Sequence, residues 1–183
     1  MTNSLKVLYL CTGNICRSPT AELMSRQLFG DDRVKFRSAG FIAEGQRCPQ
    51  KLVDVLAQRG VDATHHRSYQ VGAASLGEAD LVLTMEAAHV QKATVLDREC
   101  FRKIIPLREV AELVRSGMFG GLEHFLDDVN SGRDPFRYME TRWDVDDPYG
   151  QSTGHYRAAV DEICELIQVV GERIVELSGA RPV

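Results

Sequence analysis

Apolar residues follow two rhythms along this chain: short unbroken runs, and stripes with steps of three and four. Leu5-Lys6-Val7-Leu8-Tyr9-Leu10 is short, apolar and rich in β-formers, which predicts a buried strand. Val34 to Ala39 predicts a second strand, ended by Gly40. Asp80 to Met85 reads as a third strand buried on both faces, and Arg102 to Ile105 as a fourth. Helices fall between them. One begins near Ser18, with Ser18 as its N-cap, Pro19 in the first helical position and Leu23, Met24 and Leu28 on its apolar side. A second opens at Pro49, turns Leu52, Val53 and Leu56 inward and stops at Gly60. A third covers about residues 86–95. This alternation, with continuous apolar strands, predicts an α/β fold whose parallel sheet is covered on both faces.

The C-terminal stripe is the longest. Tyr156, Val160, Ile163, Ile167, Val170, Ile174 and Leu177 alternate steps of four and three, which predicts one helix packed on the sheet. Residues 108–142 break the alternation. Val110, Leu113 and Val114 form one helical stripe, Gly117 and Gly120-Gly121 interrupt it, and Leu122, Phe125, Leu126 and Val129 form another. The expectation is a helical hairpin inserted after the fourth strand.

Composition narrows the class. A chain of 183 residues with 44% hydrophobic and 26% charged residues fits a single domain, 1–183, with a substantial core. It does not fit a disordered tail or a disulfide scaffold. The formal charge of -4 disfavours non-specific nucleic-acid binding. No apolar run approaches the roughly 20 residues of a membrane span, and residues 1–6 show no signal-type pattern. Five irregularly spaced cysteines without a Cys-x-x-Cys pair point to a reducing cytoplasm. His65, His66, His89, His124 and His155 show no ligand spacing and read as surface or loop histidines, so no metal and no cofactor is expected.

The candidate chemistry lies in Cys11-Thr12-Gly13-Asn14-Ile15-Cys16-Arg17-Ser18, between the first strand and the first helix. A loop closing onto a helix N-terminus turns successive backbone N–H groups into one concavity, which suits a phosphate-sized anion. A cysteine opening that loop feels the same field, which favours its thiolate. Arg17 can grip two oxygens of a tetrahedral anion through its planar fork. Gly13 permits close approach, Asn14 tolerates the left-handed conformation, and Ser18 can donate to the Cys11 sulfur. The chain contains neither a Walker A loop nor the Gly-x-Gly-x-x-Gly fingerprint.

A thiolate that displaces an alkoxide or phenoxide from phosphorus needs a proton donor for the leaving oxygen. The segment Trp143-Asp144-Val145-Asp146-Asp147-Pro148-Tyr149-Gly150 supplies clustered carboxylates on a loop stiffened by proline. Such carboxylates can raise one another's pKa and keep one of them acidic. Two other readings are an ordinary Asp-Pro turn and an Asp-x-Asp nucleophile at Asp144 and Asp146, which lacks the preceding buried strand.

Val7 to Pro19, together with Asp147-Pro148-Tyr149, closely resembles the low-molecular-weight protein tyrosine phosphatases. Ser38-Ala39-Gly40, the Ala79–Leu83 strand and the closing helix extend the resemblance to most of the chain outside 108–142. It implies a three-layer α/β fold with a four-stranded parallel sheet, and metal-independent hydrolysis of phosphotyrosine in a partner protein through a phosphocysteine. Cys11 would be the nucleophile, Arg17 and the loop residues Thr12, Gly13, Asn14, Ile15 and Cys16 the phosphate cradle, and Asp147 the general acid. Asn14 and Ser18 would order the loop, and Tyr149 would wall the cleft. Cys16 matches a second loop cysteine that can pair with Cys11 under oxidant, a redox-sensitive arrangement. The segment Phe41–Cys48 is shorter than in many relatives and leaves Phe41 as the candidate for the opposite wall. The 108–142 insert could cap the site or contact a partner or second copy.

Three rivals share the scaffold. Arsenate reduction with a small-thiol donor needs no relay cysteines, whereas the thioredoxin-coupled form needs two that Thr84–Ala93 does not contain. Phosphoarginine phosphatases resemble this loop with Thr in place of Ile15, and a branched apolar Ile15 favours phosphotyrosine. A non-enzymatic oxyanion or redox sensor would have no use for the acid.

Overall fold

A computed structural model describes residues 4–30, 32–42, 44–117, 126–127 and 138–178. Four strands form one sheet: β1 (Leu5–Cys11), β2 (Val34–Gly40), β3 (Leu81–Thr84) and β4 (Ile104–Pro106). All pairs are parallel and the order is β2-β1-β3-β4. The unbroken apolar runs of β1 and β3 belong to the two central strands, which are covered on both faces.

On one face lie α1 (Arg17–Phe29), α2 (Gln50–Ala57), α5 (Leu107–Arg115) and the C-terminal α6 (Thr153–Leu177), with α3 (Ala73–Glu78) and α4 (Ala87–Leu96) on the other. Val7, Tyr9 and Phe36 point into the first layer beside Tyr156, Val160, Ile163, Ile167, Val170 and Ile174, all buried. Leu8, Leu10 and Val82 point into the second, beside Leu76, Val90 and Cys100. Alternate residues of each strand therefore serve opposite layers, as the pleat requires. Among the described residues no helix is long and apolar enough to cross a membrane.

Several expectations shift at their edges. The first helix starts at Arg17, its N-cap position is Cys16, and no side chain caps it. Ser18 is inside the helix because its hydroxyl is used by the loop instead. Leu28 is half exposed, and α1 buries Ser18, Thr20, Ala21 and Ser25, small residues that let it lie close between the sheet and α6. The fourth strand is preceded by a 3-10 turn, Arg98–Lys103, that takes up the expected Arg102. α3 has no counterpart in the hydrophobic pattern, since Leu76 is its one buried apolar anchor. Of the hairpin expected over 108–142, α5 supplies the first stripe, with Val110 buried and Leu113 and Val114 packed on the core. Of the second stripe, Leu126 is described and packs on the same core, whereas Leu122, Phe125 and Val129 lie outside the described residues. The contact surface expected on that insert finds no support in the parts of it that are described, 108–117, 126–127 and 138–142.

The sheet order fixes where a ligand can sit. From β1 the chain crosses to β2 on one side and β3 lies on the other, so the connections diverge at the carboxyl end of β1. Crevices at such switch points are where open α/β sheets bind their ligands. Cys11 ends β1 there, in register with Gly40 at the end of β2.

Candidate active site

Backbone contacts hold the loop from Cys11 to Arg17 in shape. Gly40 touches it so closely that an added Cβ would lie 2.7 Å from the Asn14 nitrogen and 2.9 Å from the Thr12 oxygen. The Thr12 carbonyl accepts the N–H groups of Phe41 (2.8 Å) and Ile42 (3.1 Å), fixing the start of the loop to the chain leaving β2. Asn14 takes the left-handed conformation at φ 51°, alone among the described residues other than glycine. Its carboxamide is used in full. Nδ2 donates to the hydroxyls of Ser18 (2.9 Å) and Ser38 (2.8 Å), and Oδ1 accepts the Tyr69 N–H (2.8 Å). Ser38 donates on to Glu22 at 2.6 Å, and His66 Nε2 meets the Asn14 carbonyl at 2.8 Å.

This network orients a proton at the sulfur. Because Asn14 donates to Ser18 Oγ, the hydroxyl's own proton can go to Cys11 Sγ at 3.0 Å, with the Ala39 carbonyl at 3.2 Å as its alternative. The Asn14 backbone N–H donates to the same sulfur at 3.2 Å. Asn14 and Ser18 are fully buried, so they shape the cradle from behind rather than line it. Cys16 and Cys48 share the buried core with Cys11. Burial, with Asp147 adding to it against the opposing Tyr156 hydroxyl, pushes Cys16 up to about 12. Burial likewise pushes Cys48 up to about 12, so both are thiols at neutral pH.

Arg17 is 2% exposed and gathers partners from two distant segments. Nη1 donates to Glu86 (2.6 Å) and to the Val145 carbonyl (2.9 Å), and Nη2 donates to Asp147 Oδ2 (2.7 Å). Nε is buried with no hydrogen-bond partner among the described residues, which leaves a charged donor for an anion beside the loop. Asp147, 45% exposed, also accepts the Tyr149 N–H through Oδ1 at 3.1 Å. Asp144 does something different: its Oδ1 accepts the Ala87 N–H at 2.7 Å, at the start of α4. That occupation as a helix cap leaves no support for the Asp144–Asp146 nucleophile.

Cys11, Thr12, Gly13, Ile15, Cys16, Arg17, Ile42, Gln46, Asp147 and Tyr149 line one cleft of about 260 Å³. Tyr149 is 62% exposed at its mouth. Phe41, expected as the opposite wall, is not among the lining residues; it turns inward and stacks on His89, ring centroids 5.3 Å apart. Ile42, 57% exposed, takes the cleft-lining place instead. A larger cavity of about 890 Å³ opens along β2 behind the Asn14 network and includes Lys6, Lys35, Arg37 and Arg67. It does not include Cys11 or Arg17.

Two functional candidates have no motif of their own, Glu86 and His89. Burial alone would raise Glu86, but the His89 ring, the Arg17 guanidinium with its hydrogen bond and Lys92 outweigh it, holding the carboxyl below its ordinary range. His89 is fully buried rather than on a surface or loop. Burial, reinforced by Arg17 and Lys92 against the opposing Glu86, lowers it to about 4. An unfolded chain would take up this proton near pH 6.5. Between pH 6.5 and 4 the unfolded state thus binds more protons, and stability falls as pH falls, by up to about 3 kcal/mol from this group. Urea unfolding at pH 7 and pH 4.5 measures the decline, and His89→Gln is expected to flatten it.

A cysteine at the end of a central strand, an anion loop running into a helix, and an arginine held by two carboxylates define a phosphate-loop protein of the cysteine-dependent phosphatase type. The comparisons give the family. Residues 6–119 match the family model described as low molecular weight phosphotyrosine protein phosphatase, and the chain belongs to that family. It is 32% identical to the protein-arginine-phosphatase of Geobacillus stearothermophilus over 92% of this chain and 95% of that one. It is 36% identical to the low molecular weight protein-tyrosine-phosphatase Etp of Escherichia coli K12, over 51% of this chain and 62% of Etp. Among solved structures, the low molecular weight protein tyrosine phosphatase from T. tengcongensis superposes with a TM-score of 0.72 at 30% identity, covering 93% of this chain and 99% of that one. The Geobacillus arginine phosphatase structure gives the same TM-score at 30% identity, covering 98% and 99%.

Proposed function

We propose that this protein hydrolyses phosphotyrosine in proteins, without a metal ion, through a phosphocysteine on Cys11. The observation that carries the reading is the convergence of Cys11, Arg17 and Asp147 on one cleft of about 260 Å³. In the first step the Cys11 thiolate attacks phosphorus. The S–P bond forms as the P–O bond to tyrosine breaks, and Asp147 gives its proton to the leaving phenolate. Arg17 and the loop N–H groups carry the charge on the three peripheral oxygens through the trigonal transition state. A phosphoryl dianion that engages Arg17 competes with Asp147 Oδ2 for the same guanidinium. In the second step Asp147, now a carboxylate, takes a proton from water. The water oxygen bonds to phosphorus, the S–P bond breaks, and inorganic phosphate leaves.

Ile15 and Tyr149 supply the apolar and aromatic lining that suits a phenyl ring. The five free cysteines support a cytoplasmic setting. Cys16 is the proposed resolving thiol: peroxide would take Cys11 to the sulfenic acid, and the Cys16 sulfur would displace water to form a disulfide. Phosphoarginine is the second reading, favoured by full-length similarity to the Geobacillus arginine phosphatase. Assay of a phosphotyrosine and a phosphoarginine peptide in excess chelator separates the two. The expected kcat/KM is at least about tenfold higher for phosphotyrosine, because one lining residue changes discrimination by roughly 10–200-fold. The reverse ratio would install the second reading, and no turnover of either by folded protein would remove both.

A further inference from the structure

His89 belongs to none of the steps above, yet it touches three parts of the site. Its Nε2 lies 3.0 Å from Thr12 Oγ1 in the phosphate loop and 3.5 Å from Glu86 Oε2. The other oxygen of that carboxylate takes Arg17 Nη1 at 2.6 Å. Its ring stacks on Phe41, whose backbone N–H holds the Thr12 carbonyl. Nδ1 is buried with no hydrogen-bond partner among the described residues.

The protonation pattern follows from these neighbours. A bare Nε2 lone pair would face a carboxylate oxygen and be repelled, so the proton sits on Nε2 and serves Thr12 and Glu86 together. Nδ1 then stays as a buried acceptor without a donor, a cost that an apolar side chain of similar size would remove. A buried imidazole kept at such a cost has its reason in the other nitrogen. The Nε2–H faces Glu86 Oε2 at 3.5 Å, an electrostatic contact that favours the carboxylate orientation in which Oε1 holds the Arg17 fork. Thr12, accepting from Nε2, keeps its own hydroxyl proton for a group in the cleft it lines.

We propose that His89 is a positioning residue for phosphoryl transfer: its Nε2–H ties Thr12 of the phosphate loop to Glu86 and so sets the orientation of Arg17. This inference rests on the phosphatase reading. Transition-state oxygens need Arg17 in place more than the ground state does, so the loss is expected in kcat rather than in KM. Arg17 keeps its bonds to Val145 and Asp147, so the loss is partial.

The test uses the whole chain with p-nitrophenyl phosphate, and orthovanadate as a competitive oxyanion that mimics the trigonal phosphoryl group. His89→Leu is expected to lower kcat by about tenfold with KM within about twofold, and to weaken vanadate by a similar factor. His89→Gln, which restores an N–H near the Nε2 position, is expected to recover most of both. Thr12→Val also removes the hydroxyl offered to the cleft, so on top of His89→Leu it is expected to lower kcat further, but by less than the product of the two single effects, because one hydrogen bond is shared. Unchanged kcat in His89→Leu, or a folded His89→Gln no better than His89→Leu, would overturn the inference, as would multiplying effects in the double variant. Should His89→Leu not fold, His89→Asn, whose shorter amide falls short of Thr12 and Glu86, takes its place. The same kcat loss is expected of it, and a normal kcat overturns the inference. An inactive wild type would instead strike the phosphatase reading itself.

Discussion

Replacing Cys11 with Ser is expected to lower turnover of p-nitrophenyl phosphate by on the order of 10⁴-fold or more, while inorganic phosphate still binds within a few-fold of the parent. The two halves of that expectation come from different parts of the structure. Turnover needs a nucleophile that exists as an anion at neutral pH, and a serine hydroxyl in the same place stays protonated. Asp147 does not serve as its base in this step, because the leaving phenolate needs that carboxyl protonated at the same moment. Binding, by contrast, uses the loop and Arg17. The loop's shape depends on contacts of Asn14, Ser38, Gly40, Tyr69 and the Thr12 carbonyl that do not involve the Cys11 side chain, whose own partners are the Asn14 N–H and the Ser18 hydroxyl. Phosphate titration by calorimetry and a steady-state assay measure the two halves separately. Acid-quenched parent enzyme should carry a phosphoryl group on Cys11, and undiminished turnover in Cys11→Ser would remove the nucleophile from the mechanism.

The sequence pattern reached the sheet and the cradle because both rest on local signals. An unbroken apolar run such as Leu81–Thr84 is what a strand buried on both faces requires, and the six-residue step from Cys11 to Arg17 is the length of the loop that closes onto α1. The residues that hold Arg17 and Thr12 from behind carried no such signal. Glu86 and His89 follow β3 and reach the loop after β1 only because β3 lies beside β1 in the sheet. A βαβ reading that laid β3 beside β1 would have brought Met85–His89 to the same edge, so the information was present in the order of the strands rather than in any spacing. Ser38 and His66 meet the loop in the same long-range way. Ser18 shows the opposite error. Ser before Pro is a good local capping signal, but here the hydroxyl serves the Cys11 sulfur and the helix begins two residues earlier than that cap would set it. Phe41 was legible as an aromatic near the cleft, not as one whose ring a buried histidine draws inward.

Replacing Asp147 with Ala is expected to lower kcat/KM, which ends at release of the phenol and so excludes the water step, by about 10²–10⁴-fold for phenyl phosphate and phosphotyrosine, the range of a general acid, and far less for p-nitrophenyl phosphate. A nitrophenolate leaves without a proton, whereas a phenolate does not leave readily. The structure adds a second role that must be separated from the first, since Asp147 Oδ2 also holds Arg17 Nη2 at 2.7 Å. Asp147→Asn makes the separation. Its carboxamide oxygen can still accept from Arg17, but its N–H₂ group is no acid. If proton transfer dominates, Asn and Ala fall together on poor leaving groups, and both largely keep kcat/KM for p-nitrophenyl phosphate. If holding Arg17 dominates, Asn recovers activity on every substrate alike, because the guanidinium serves the phosphoryl oxygens whatever the leaving group. The contact with Arg17 weakens as substrate draws the guanidinium to itself, and Glu86 and the Val145 carbonyl still grip the other nitrogen. The expected result is therefore a steep dependence on leaving-group basicity in both variants, with a near-flat dependence in the parent. Equal slowing of good and poor leaving groups would transfer the acid to another residue and leave Asp147 as an arginine partner.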